Sequence, residues 1–270
     1  MKFLAIFIDT FREIRDKKMV IAFGIITAMF AGTYLFAISV TKLDNGKVEV
    51  SSFAGKSAID GVKFVEQQMV LFSQIIGGTL IFLFIIAFAF VMANLLKPGT
   101  LDLHLSKPLW RSQLLLYKFF ACTLSVFVLM LVMGGTLWGI LSFKAGVITF
   151  QPFLSIVMIP LVFAIAFSLI VFCCVFTRGA GAGISAYLVY AYLLETVLQS
   201  REFIKHQIGN DTFSFIMDMS YHILPKIREC MAIFIQLNVS NVDWYPLTSS
   251  LIFMVVTLAI SCVIFESKDY

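Results

Sequence analysis

The sequence predicts an all-α integral membrane protein with six transmembrane helices, and three observations predict it: composition, apolar runs and the placement of basic residues. Of the 270 residues, 60% are hydrophobic and only 13% are charged, and the mean hydropathy is +0.96. A soluble domain carries about 25% charged residues, so this chain cannot cover its apolar surface in water and must fold against lipid. The formal net charge of +4 is small and is spread among loops, which argues against a nucleic-acid surface. The five cysteines, Cys122, Cys173, Cys174, Cys230 and Cys262, have no zinc-like spacing. They read as small buried thiols.

Residues 1–18 form the first element. Phe3, Phe7, Phe11 and Ile14 recur at three- and four-residue spacing, with Asp9, Arg12, Glu13 and Asp16 mainly elsewhere around the helix. That pattern predicts an amphipathic helix lying on the membrane surface and leading into the first span. A helix needs about 20 apolar residues to cross the hydrocarbon. Six runs meet that need: 19–40, 71–96, 113–142, 150–176, 182–199 and 247–265. The first has no small-residue cleavage site and reads as a retained span. The third is long enough to tilt or to project from the membrane. The fifth is the shortest and carries Glu195. Gly77, Gly78, Gly134 and Gly135 allow close approach of helices, as glycines in membrane helices commonly do.

Orientation follows from lysine and arginine near the span ends. Lys2, Arg12, Arg15, Lys17, Lys18, Lys97, Lys107, Arg111, Lys118, Arg178 and Lys268 fall on one side, eleven of the 20 basic residues. That side, with both termini, is expected in the cytoplasm. Segments 41–70 and 200–246 are then outside. The first is polar and mixed in charge. The second is apolar but broken by charges and Pro225, which suits helices that lie in the outer interface or dip part-way into it.

Chemical motifs are few. FAGKS at 53–57 looks like the tail of a phosphate-binding loop, but Val50 stands where GxxxxGK[ST] requires its first glycine. It reads as a polar loop. His206, Asp211, Asp218, His222 and Cys230 share the outer segment without the spacing of a ligand set, so no metal site is assigned. Asn210-Asp-Thr212 and Asn238-Val-Ser240 are sequons by pattern alone. No HExxH, GxSxG or Ser/His/Asp arrangement occurs, and no catalytic residue is assigned. Glu195 is the one acid well inside a predicted span. It has two readings, an interfacial acid paired with Arg201 or a residue lining a pathway.

The longest interruption between spans is KPGTLDLHLSKPLWRSQLLLYK, residues 97–118. Gly99 breaks the preceding helix, Thr100 can cap a new one, and Asp102 falls in its first turn. Pro108 ends that turn, and Trp110 and Arg111 can anchor at the interface. Segment 97–112 therefore predicts a short, rigid helix facing the cytoplasm. It could transmit a push.

The stretch GTLDLHLSKPLWRSQLLLYK resembles the GTLxxLLSxPxxRxxxxxxK signature of type-2 ABC transporter permeases, the membrane subunits of bacterial exporters. Within that family it is similar to the subgroup containing the permease of the nitrous-oxide reductase maturation transporter. The resemblance covers about twenty residues in motif and the whole chain in architecture. It implies a coupling helix that contacts a separate ATPase, carried by Gly99, Thr100, Leu101, Asp102, Leu105, Ser106, Lys107 and Pro108. It also implies a bacterial cytoplasmic (inner) membrane location, ATP bound by the partner rather than by this chain, two ATPase copies and a second copy of this chain or a related permease. An accessory protein outside the membrane belongs to the same picture. Where the family places glutamates just before the Gly-Thr, this chain has Asn94-Leu-Leu-Lys-Pro98. A different function class is also compatible with the residues, a non-transporting membrane anchor or assembly factor. An ATPase that co-purifies with the chain separates the two.

Overall fold

The computed structural model describes residues 2–36, 38–42, 47–52, 55–73, 77–97, 110–235 and 243–268. Among them are six helices long and apolar enough to cross a membrane. The amphipathic helix α1 (Lys2–Asp16) precedes α2 (Met19–Phe36). Its inward line is Ile6, Thr10 and Ile14, at i, i+4 spacing, while Phe3, Phe7 and Phe11 flank that line half-buried. The phenylalanines thus edge the buried face rather than forming it.

Residues 41–70, expected only as a polar stretch, hold more structure than the sequence reading gave them. Strands β1 (Ser39–Lys42), β2 (Lys47–Ser52) and β3 (Gly55–Asp60) form an antiparallel meander. In it Val40 pairs with Val50 and Val48 with Ile59. Val48 and Val50 point to the buried side, the alternation that a half-buried strand requires. Asp60 then caps α3 (Gly61–Phe72), its side chain accepting from the Val62 N–H at 3.3 Å.

The bundle is completed by α4 (Gly78–Leu95), α5 (Arg111–Ala145), α6 (Gln151–Thr177) and α7 (Ala180–Gln199). Three shorter helices follow, α8 (Arg201–Ile208), α9 (Asp211–Ile223) and α10 (Ile227–Ile235), before α11 (Tyr245–Ser267) closes the chain. Hydropathy blurs helix ends: α2 stops at Phe36, four residues short of the apolar run, because the chain turns into β1. At 35 residues α5 is about 52 Å long, well beyond a hydrocarbon core of about 30 Å.

Helix α6 is the centre. In its most apolar stretch 67% of the residues are buried in protein, against 6% for α2, which stands at the periphery. Lipid offers apolar side chains no reason to leave it, so packing between membrane helices relies on close fit. Two devices supply that fit. One is a ladder of rings: Phe88 of α4 meets Phe163 at 5.6 Å between centroids, Phe163 stacks on Phe167 at 5.1 Å, and Phe119 of α5 stacks on Phe167 at 5.7 Å. The other is small residues. A Cβ on Gly134 would sit 2.3 Å from Ile156 Cγ2, so α5 and α6 pack at a distance only glycine permits.

Helix ends are tied by side chains from distant segments. Lys144, near the end of α5, donates to three carbonyls at the end of the first span: Tyr34 O at 2.8 Å, Leu35 O at 2.7 Å and Ile38 O at 2.6 Å. An ammonium there satisfies orphaned carbonyls and the negative end of the helix dipole together. After α7 the chain folds back onto the bundle, with α10 packed against both α6 and α11.

Candidate functional site

Two carboxylate–cation pairs stand out, one at the end of the bundle that holds both termini and one toward the opposite end. The first surrounds the segment that carries the signature. Gly99, Thr100, Leu101, Asp102, Leu105, Ser106, Lys107 and Pro108 lie outside the described residues. Their flanks are described. Glu13, in the last turn of α1, accepts from Lys118 Nζ of α5 at 3.0 Å through Oε2. Its Oε1 accepts from Asn94 Nδ2 of α4 at 3.1 Å and from Lys17 Nζ at 3.0 Å. Lys118 is only 3% exposed. Burial pushes the Glu13 carboxyl up, but the Lys118 ammonium and the hydrogen bonds from Lys118, Asn94 and Lys17 outweigh it and hold the carboxyl below its ordinary value.

On the far side of the same segment, Arg111 Nη1 donates to Lys268 O at 2.9 Å. Lys268 Nζ in turn reaches Phe176 O at 2.6 Å, at the end of α6. Both flanks of residues 98–109 are therefore tied to other elements: Asn94 and Lys118 to α1, and Arg111 to the end of α11.

The second pair is built on an irregular helix. After Leu188, α7 becomes π-helical over Val189–Leu194, and the Glu195 N–H bonds to Tyr190 O, five residues back. The Ala191 carbonyl accepts instead from Arg228 Nη2 at 3.0 Å. Glu195 is 4% exposed. Its Oε1 accepts from the Arg228 backbone N–H at 2.5 Å. Its Oε2 lies 4.0 Å from Arg228 Nε and has no hydrogen-bond partner among the described residues. A cavity of about 510 Å³ opens beside this pair, bounded by Thr79 and Phe82 of α4, Tyr187 and Tyr192 of α7, and Met231 of α10.

Arg201, the partner weighed for Glu195, is engaged elsewhere. It pairs with Glu202 at 3.3 Å and lies over the Tyr221 ring at 3.3 Å. The partner is Arg228, which is 33 positions away from Glu195 but adjacent in space because α10 folds back.

The family model for ABC-2 family transporter proteins matches residues 4–270, from α1 through the end of α11. The chain belongs to the ABC-2 transporter family. No curated protein and no solved structure matches it. This ABC-2 chain is a multi-pass membrane protein, the permease subunit of an ABC transporter.

The remaining sequence candidates are dispersed in this ABC-2 permease. Gly55, Lys56 and Ser57 open β3, with Ser51 opposite Lys56 and Val50 opposite Ser57. A phosphate-binding loop needs those residues to open a helix, where backbone N–H groups converge on phosphate. Asp218 pairs with Lys205, His222 contacts the Tyr245 hydroxyl, and Cys230 is buried with Sγ 3.6 Å from Ser250 Oγ. Sequence reasoning missed Glu13, Asn94, Arg228 and Lys226. The Lys226 ammonium is buried between the rings of Tyr221 and Tyr245, at 4.4 and 4.8 Å, and donates to Ser249 Oγ at 2.9 Å. Lys118 ends the signature stretch, so the motif carried a signal for one member. Nothing local in the chain pointed to its partner.

Proposed function

We propose that this permease is an exporter subunit driven by a separate ATPase, with two copies of each in the working transporter. It resides in the bacterial cytoplasmic membrane with both termini in the cytoplasm. The coupling helix lies within segment 97–112, before α5 begins at Arg111, and ATP is bound by the partner. The observation that supports this reading most is the double tie around that segment. Asn94 and Lys118 converge on Glu13, and Arg111 holds the end of α11. A displacement of the segment is thereby passed to four helices at once: α1, α4, α5 and α11.

The test is co-purification with the ATPase, followed by ATP hydrolysis in lipid. Leu101 and Leu105 share a face at i, i+4 of the expected helix. Each buried leucine contact contributes about 1.5–3 kcal/mol. Leu101→Ser with Leu105→Ser is expected to leave the spans inserted and to weaken ATPase association by about a hundredfold or more. Full assembly and unchanged transport in the double variant would remove the segment from the coupling role.

A further inference from the structure

We propose that the cavity between α4, α7 and α10 binds a zwitterionic amphiphile, a molecule carrying an ammonium and a phosphate or carboxylate on an apolar body. Its volume, about 510 Å³, lies within the range of about 300–1,000 Å³ typical of small-molecule sites. Ile81, Ile227 and Met231, with the rings of Phe82, Tyr187 and Tyr192, give it a mostly apolar wall. Aromatic faces beside a carboxylate are the surroundings an organic ammonium prefers.

The polar groups set the ligand's charges. Glu195 lines the cavity, is 4% exposed, and keeps one carboxylate oxygen without a hydrogen bond among the described residues. A buried acceptor left in that state is costly, and a donor brought by a ligand removes the cost. Arg228 lines the same cavity. Its side chain is 44% exposed and Nη2 is bound to Ala191 O, while a guanidinium has five N–H donors in all. The pair sums to zero charge. A simple cation is drawn by Glu195 and opposed by Arg228, and a simple anion meets the reverse. A molecule with both poles gains at both. The π-helical stretch supports the same assignment, because such segments are rare and concentrate at functional sites. Here it ends on the residue before Glu195 and leaves the Ala191 carbonyl to hold Arg228.

The ligand chemistry is shared by an ethanolamine phospholipid and by a free amphiphilic amino acid. The inference rests on the permease reading for what the binding serves, whereas binding itself requires no ATPase. The experiment therefore uses the purified full chain alone in micelles, titrated with dihexanoylphosphatidylethanolamine and with 2-aminododecanoic acid. Dihexanoylphosphatidylglycerol is the anionic contrast and dodecylamine the cationic one. At least one zwitterion is expected to bind saturably, about tenfold or more tighter than both contrasts. Binding of the phospholipid alone assigns a lipid headgroup, and binding of the amino acid alone assigns a free zwitterion. Glu195→Gln and Arg228→Gln should each weaken binding by about tenfold. Ala232 also lines the cavity, and Ala232→Trp keeps both charges while placing an indole in it, which should weaken binding by about tenfold or more and decides the matter if either charge variant fails to fold. Equal affinity for all four probes, or binding indifferent to the variants, would overturn the proposal. Coupled transport without zwitterion binding would also overturn it and leave the permease standing. Zwitterion binding in a chain that recruits no ATPase would do the opposite.

Discussion

Glu13, half-buried, and Glu195, buried, are both acids facing a basic residue, yet they are finished differently. Glu13 receives three hydrogen bonds, spread over both carboxylate oxygens, from Lys118, Asn94 and Lys17. Glu195 receives one, from a backbone N–H, and its second oxygen has none among the described residues. Each acid has a cation beside it, so the presence of a counter-charge does not distinguish them. The number of donors does. A carboxylate on α1 held by donors from α4, from α5 and from the turn after α1 is a bracket, because moving either of the other helices breaks a bond. A carboxylate with an open oxygen beside a cavity is a receptor, because a donor can still be added.

The largest expected effect is on the bracket. Glu13→Ala leaves the Lys118 ammonium buried without its counter-charge, and the loss is expected to be about 3 kcal/mol, read as a lower melting temperature in micelles. Glu13→Leu combined with Lys118→Met should recover most of it, since apolar groups of similar volume commonly replace a buried ion pair without loss. A double variant as unstable as the single one would mean that the pair specifies structure beyond its charges.

A pH series sharpens the same contrast. The Glu13 carboxyl titrates below its ordinary value of 4.5 in the folded chain, so its contribution is complete above that value and lost as pH falls through the depressed one. The difference in melting temperature between the native chain and Glu13→Gln should be constant from about pH 7 to about pH 5 and close below 4.5. A gap that widens on acidification would reverse the sign and rule out the bracket. The smallest effect is expected at the other end. Glu195→Gln removes a half-bonded charge while keeping shape and an acceptor, so stability should stay within about 1 kcal/mol of the native chain. A loss as large as that of Glu13→Ala would erase the distinction drawn between the two sites.

The six spans were legible because an apolar run of about 20 residues has few other uses. The meander was legible in principle and was overlooked. Lys47-Val-Glu-Val-Ser51 alternates in the strand period, and Asn45-Gly46 before it is a strong hairpin signal. Charge mixing in 41–70 hid the alternation. The two pairs were not legible for a different reason. Lys118 and Glu13 are 105 positions apart, and Glu195 and Arg228 are 33 apart. Periodicity reports which face a residue occupies on its own helix, not which distant helix faces it. Arg201 was weighed because it is near Glu195 in the chain, and proximity along the chain decided wrongly there.

The three carbonyls held by Lys144 bear on the order in which the protein can be assembled. Lys144 follows Tyr34 by 110 positions. At a synthesis rate of about 5–20 residues per second, the first span therefore waits on the order of ten seconds between its emergence and the arrival of that ammonium. The end of that span is fixed only when the third of the six spans has been made, so the first span to be made is not the first to be fastened.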